Sequence, residues 1–212
     1  PKDYNGFKVY GANGAQINPE TAKSITEQIA RIPDFSAIRL MEEHEAREKG
    51  LLVTIGKEVD EAYFAYTMGL ALDPSVLAGA KDLNIVYTPL FGAGAEPVKR
   101  ILTAAGVQKL HVVKEQSEPN GEFPGLPAPN PEVPEAFEKA VALARKAGAD
   151  LILATDPDSD RLGVAVKKGE NFVILSGNQI GCLVLHYRLM KLKLQNRLPS
   201  DGFVVKSIVS TN

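Results

Sequence analysis

The 212-residue chain holds a single cysteine, Cys182, so no disulfide can form within it, and a reducing compartment fits. No apolar run approaches the roughly 20 residues that a membrane-spanning helix needs, and no secretory leader is visible. Nor is charge of one sign in excess: 24 basic side chains stand against 26 acidic ones, for a formal net charge of −2. That balance argues against a protein that holds nucleic acid by blanket phosphate neutralisation. Short repeats and low-complexity tracts are missing as well. The histidines, His44, His111 and His186, are too widely spaced in sequence to read as a metal-ligand cluster, and His111 fits a structural place in a strand. Gly92-Ala93-Gly94 lacks the Gly-Lys-Ser/Thr ending of a phosphate-binding P-loop and reads as a tight structural turn.

What is present suffices for a buried core: 44% of residues are hydrophobic and 24% charged. At about 150 residues per domain the length suggests one to two domains. Asn5–Tyr10 alternates apolar and polar residues after an Asn-Gly turn, as a short strand does. Asn18-Pro19-Glu20 opens a helix that Ile25, Ile29 and Ile32 continue and Pro33 ends. Residues 42–49 suit a solvated helix, 51–55 a short strand, and 59–72 a further helix. From Leu83 the pattern becomes regular. Strands are expected at 83–88, 107–113, 149–154, 162–166, 172–175 and 203–207. Helices are expected at 97–105, 135–147 and 178–194, the last placing Cys182 in the core. Between them, Glu115–Pro134 carries six prolines and two glycines and reads as a long, functional type of loop. Strand–helix–strand alternation predicts an α/β fold, a mainly parallel sheet flanked by helices.

The sharpest chemical feature is Asp156-Pro157-Asp158-Ser159-Asp160-Arg161. Three carboxylates alternate immediately after a buried strand, where open α/β sheets place ligands. Their mutual repulsion is offset by a divalent cation, and hard oxygen donors favour magnesium or calcium. The bland alternative is a solvated acidic turn. An EF-hand is excluded: its sixth position needs glycine and here is Arg161, and its twelfth needs glutamate and here is Lys167. Arg161 either grips a phosphate oxygen or pairs with one of the aspartates. Lys8 by itself is an ordinary surface lysine.

Several segments together resemble the α-D-phosphohexomutases, the bacterial phosphoglucomutases in particular. Pro1–Gly11 (PKDYNGFKVYG) resembles the stretch that follows the family's phosphoserine loop, where Thr-Ala-Ser-His-Asn normally precedes the proline. Ala154–Leu162 (ATDPDSDRL) resembles the magnesium loop. Tyr87–Gly92 (YTPLFG), Pro129–Glu132 (PNPE) and Leu175–Gln179 (LSGNQ) match further landmarks in the right order. The resemblance implies a partial chain: residues 1–45 as the end of domain one with a linker, 46–172 as domain two with the metal loop, and 173–212 as the opening of domain three. It places the catalytic serine just upstream of Pro1, so that the fragment alone is expected to be inactive, and leaves the missing parts of the same enzyme as partners.

For the whole enzyme the resemblance implies magnesium-dependent interconversion of glucose 1-phosphate and glucose 6-phosphate. The route runs through a phosphoserine, with glucose 1,6-bisphosphate as intermediate or activator. Asp156, Asp158 and Asp160 would hold the metal, Arg161 would meet a phosphate, and Lys8 would act catalytically in proton transfer and substrate contact. A cytoplasmic enzyme acting on a phosphorylated hexose, without nucleic acid or membrane partners, is the expectation. Two alternatives stand beside it. One is a mutase of the same family for mannose, glucosamine or pentose phosphates. The other is a non-catalytic metal- or phosphate-binding fragment.

Overall fold

The computed structural model describes residues 8–206. They divide into two units between Val59 and Asp60. In the first, the Asn18 side chain accepts a hydrogen bond from the Thr21 amide at 2.8 Å and starts helix α1 (Pro19–Ile29). The helix stops before Ile32. A proline ring clashes with the carbonyl four residues back, and for Pro33 that carbonyl belongs to Ile29. A 3-10 turn at Phe35–Ala37 leads to α2 (Glu43–Glu48), whose pairs Arg47–Glu43 and Lys49–Glu45 stand one turn apart. The strand expected at 51–55 does not form: Leu51, Val53 and Ile55 are exposed, and no neighbouring strand offers them a ladder among the described residues. Of the strand expected at 5–10, residues 5–7 lie outside the described residues, and Tyr10 forms only an isolated bridge to Gln16.

The second unit carries the sheet. Helices α3 (Lys57–Gly69) and α4 (Ser75–Gly79) precede β1 (Asn84–Thr88), α5 (Ala95–Ala104) and β2 (Lys109–Val112). The Pro-rich loop runs into a 3-10 turn at Pro134–Phe137 and then α6 (Glu138–Ala147), which Gly148 closes in the left-handed conformation with φ 67°. Strands β3 (Leu151–Thr155), β4 (Leu162–Lys168) and β5 (Asn171–Leu175) follow, and α7 (Gly177–Leu194) begins at a reciprocal cap between Ser176 and Gln179. Arg100 ties α5 to α3, with its guanidinium 3.8 Å above the Phe64 ring and 2.6 Å from Glu61. Lys191 on α7 meets Asp73 at 2.6 Å.

The strand order is β2-β1-β3-β4-β5. β1 pairs with β2 and β3 in parallel, while β3–β4 and β4–β5 are antiparallel, so the sheet is mixed rather than mainly parallel. The connections dictate this. A parallel return needs a crossover of about a dozen residues or more, whereas β3 and β4 are joined only by 156–161 and β4 and β5 only by Gly169-Glu170.

Val86, Ile152, Ala154 and Ala165 from the sheet, with Val113, Phe137, Ala140, Ala144 and Ala149, make the buried core. Alanines on α6 let that helix sit close to β1 and β3. Cys182 is exposed, not in the core as its apolar surroundings in sequence suggested, because α7 buries none of its residues fully. Residues 203–206 form no strand, and Ser207 lies outside the described residues. Among the described residues no helix is long and apolar enough to cross a membrane.

Gly163 on β4 shows how tightly the Pro-rich loop is pressed to the sheet. A Cβ there would stand 2.5 Å from the Pro131 carbonyl oxygen and 2.8 Å from Phe137 Cζ. Gly163→Ala is therefore expected to lower stability by about 1–3 kcal/mol through overpacking. Urea unfolding measures it, and an unchanged midpoint would show that residues 131–137 yield freely.

Candidate metal centre

β1 lies between β2 and β3, so the chain leaves β1 for one neighbour and reaches the other later. Such a reversal opens a crevice at the C-terminal ends of the two central strands, where doubly wound α/β proteins hold ligands. Two segments meet there. The 92–94 turn follows β1, and the acidic segment 156–161 follows β3. They are joined directly, since the Ala93 amide donates to the Pro157 carbonyl at 2.9 Å, and a side chain on Gly92 would run into the Pro157 backbone. The glycine turn is thus structural, as its sequence suggested, and serves as a buttress for the acidic loop.

Within that loop Asp156 is buried, while Asp158 and Asp160 are exposed, and one carboxylate oxygen from each lies within 4.8 Å of the others. Oxygens on opposite sides of one magnesium stand about 4.2 Å apart, and about 4.8 Å on calcium. Three hard oxygen donors at this separation, two of them on exposed side chains, fit a hard divalent cation. Ser159, at φ 60°, turns the loop back on itself, and its amide donates to the Asp156 carbonyl at 3.0 Å.

Arg161 closes the loop. Its amide donates to Asp156 Oδ1 at 3.0 Å and its Nε to Asp156 Oδ2 at 2.7 Å. Burial is the largest single influence on the Asp156 carboxyl and pushes it up. The bonds and charge of Arg161 outweigh burial and hold it below its ordinary 3.8. The bond to Asp156 in turn raises the Arg161 guanidinium, with Asp160 and Glu132 adding to the effect. Of the two roles that the sequence left open for Arg161, pairing with an aspartate is the one seen, and its side chain stays 48% exposed. Lys8 is exposed and belongs to the unit that ends at Val59. His44 faces Glu48 at 3.3 Å on α2, His111 sits on β2 and His186 on α7.

Several residues of this end of the sheet escaped sequence reading. Leu90 and Phe91 hold left-handed backbones, φ 47° and 64°, at a cost of about 1–3 kcal/mol each. Buried Gln116 holds them: its carbonyl accepts from the Phe91 amide at 2.8 Å and its side chain accepts from the Thr88 hydroxyl at 2.7 Å. Tyr87 and Thr155 share a buried hydrogen bond of 2.8 Å. Hydroxyl residues near the ends of two neighbouring strands were the available signal, but their meeting depends on the strand register.

Fold and site define an α/β unit with an acidic, cation-type loop at its strand switch, and comparison with known proteins gives the family. The family model described as phosphoglucomutase/phosphomannomutase, alpha/beta/alpha domain II, matches residues 61–169, and the model for domain I matches residues 1–35. A phosphoglucomutase of Staphylococcus saprophyticus is 37% identical over 100% of this chain and 37% of its own length. One of Staphylococcus epidermidis is 34% identical over 96% of this chain and 37% of its own. The crystal structure of a candidate phosphomannomutase from Thermus thermophilus is 26% identical with a TM-score of 0.59, covering 84% of this chain and 36% of that one. The chain belongs to the phosphoglucomutase/phosphomannomutase family. It spans 37% of the length of these curated relatives.

The Asp156–Arg161 pair carries a pH signature. A carboxyl held below its ordinary value adds stability above that value, and the contribution is lost as pH falls through the lowered one. Arg161→Gln is therefore expected to melt below wild type at pH 7, with the gap closing as pH falls below the ordinary carboxyl value of 3.8. Thermal melts across that range check it, and a gap that stays constant with pH would dissociate the pair from stability.

Proposed function

We propose that these residues belong to a phosphoglucomutase, which interconverts glucose 1-phosphate and glucose 6-phosphate through a phosphoserine of the same enzyme and glucose 1,6-bisphosphate. The observation that carries this reading is the set of three carboxylate oxygens within 4.8 Å of one another at the strand switch, in a chain whose named relatives are phosphoglucomutases. Asp156, Asp158 and Asp160 hold magnesium, which when bound supplies neutralisation of charge on the transferring phosphoryl group.

The protein's own groups divide the rest. Asp156 is fixed by Arg161, and Asp158 and Asp160 swing in from solvent. Arg161, through the part of its guanidinium that Asp156 does not engage, meets phosphate oxygens. Lys8 contacts substrate and takes part in proton transfer. In domain terms residues 1–45 are the end of domain one, 46–172 domain two and 173–212 the opening of domain three, in a cytoplasmic enzyme.

Asp158→Asn tests the reading in the full-length enzyme. Turnover of glucose 1-phosphate is expected to fall more than about 100-fold, beyond what losing an outer-shell partner costs, with the circular dichroism spectrum unchanged. Retained turnover would sink the metal assignment. The likeness to a candidate phosphomannomutase favours a second reading, turnover of mannose 1-phosphate. The ratio of kcat/KM on the two sugar phosphates decides between them.

A further inference from the structure

Three hydroxyl groups converge beneath the acidic loop. Tyr87 is fully buried on β1, and Thr155, which is 7% exposed, ends β3 immediately before Asp156. Tyr87 stands opposite Leu153 in the strand register. Its ring therefore lies on the face shared by Leu153 and Thr155 and reaches along to the strand end, where the two hydroxyls meet at 2.8 Å. Ser159, from the middle of the acidic loop, joins them. The oxygens of Ser159 and Tyr87 lie 2.6 Å, and that of Thr155 2.7 Å, from the point that a Gly94 Cβ would occupy. Gly94 has φ −68°, a backbone open to any residue, so it is space and not conformation that calls for glycine here. Burial raises the Tyr87 hydroxyl by more than its bond to Thr155 lowers it, and the group is a neutral, hydrogen-bonding phenol near pH 7.

We propose that Tyr87 is a positioning residue for the cation loop: through Thr155 and the hydroxyl cluster over Gly94 it sets the pose of Asp156, Asp158 and Asp160. The inference rests on the cation reading of that loop. Tyr87 touches neither metal nor substrate. It acts on the root of the loop, at Thr155, while the Ser159 hydroxyl beside the pair donates to the Asp156 carbonyl at 3.4 Å. Small hard cations tolerate little departure from octahedral geometry, so a loop free to shift at its root binds them less well.

Titration of the full chain with Mn²⁺, followed by the electron paramagnetic resonance of the free ion, tests this without an activity assay. Tyr87→Phe removes one oxygen and is expected to weaken Mn²⁺ binding about ten-fold, with a melting temperature in metal-free buffer close to wild type. Thr155→Val is expected to give a similar loss and Thr155→Ser, which keeps the hydroxyl, to retain affinity. The double variant Tyr87→Phe/Thr155→Val should bind no worse than the weaker single one, as partners in one interaction do. Gly94→Ala, which pushes into all three hydroxyls, should weaken binding by a separate route. Wild-type affinity in both Tyr87→Phe and Thr155→Val would overturn the proposal while leaving the cation site standing. If the wild-type chain itself binds no Mn²⁺ and Asp158→Asn changes nothing, the cation reading fails and takes the proposal with it.

Discussion

A carboxylate with its side chain only 1% exposed, at the end of a buried strand, sets the terms for everything around it. Asp156 cannot draw on water, so its charge must be met by protein groups or by a ligand. Arg161 meets it twice, through its amide and its Nε, and both bonds come from a residue five places on in the chain. That reach forces the intervening segment into a closed loop, puts Ser159 in the left-handed conformation and turns Asp158 and Asp160 outward. The same short loop makes β4 antiparallel to β3, so the demand of one buried charge propagates into the strand order.

The loop is restrained from below as well as from within. The Ala93–Pro157 bond ties it to the turn after β1, and that turn is held in a strained conformation by Gln116, in the 3-10 turn that follows β2. Tyr87 and Thr155 tie the root of the loop to β1 itself. Backbone strain persists only where its surroundings over-determine it. Here three neighbouring strand ends supply that over-determination at the place where the carboxylates converge.

Much of this end of the protein was legible in the sequence. Alternating aspartates after an apolar strand announced the acidic loop, and the Pro-rich stretch was visible as a loop by composition alone. What could not be read depends on a partner distant in the chain. Leu51–Ile55 has the composition of a strand but no ladder to join, and Cys182 sits among apolar residues on a helix that is not enclosed. The hydroxyl pair of Tyr87 and Thr155 spans 68 positions, and only the register of β1 on β3 brings it together. Pro33 was read correctly as a stop signal, but its effect lies one helical turn earlier, at the carbonyl it displaces.

The uneven exposure of the three aspartates then has a functional logic. A buried, doubly bonded carboxylate gives a fixed reference point, because its charge and orientation are settled before any ligand arrives. On the cation reading, the exposed carboxylates beside it would close on an incoming cation, and water screens their mutual repulsion until then. Were all three buried, their repulsion in a low-dielectric interior would work against the fold when the cation is absent. Were all three exposed, nothing would fix the loop's geometry ahead of binding, and each binding event would carry the entropy of ordering the whole loop. On the cation reading proposed above, one fixed and two exposed ligands would let the chain fold before the metal binds and still offer it a partly formed site.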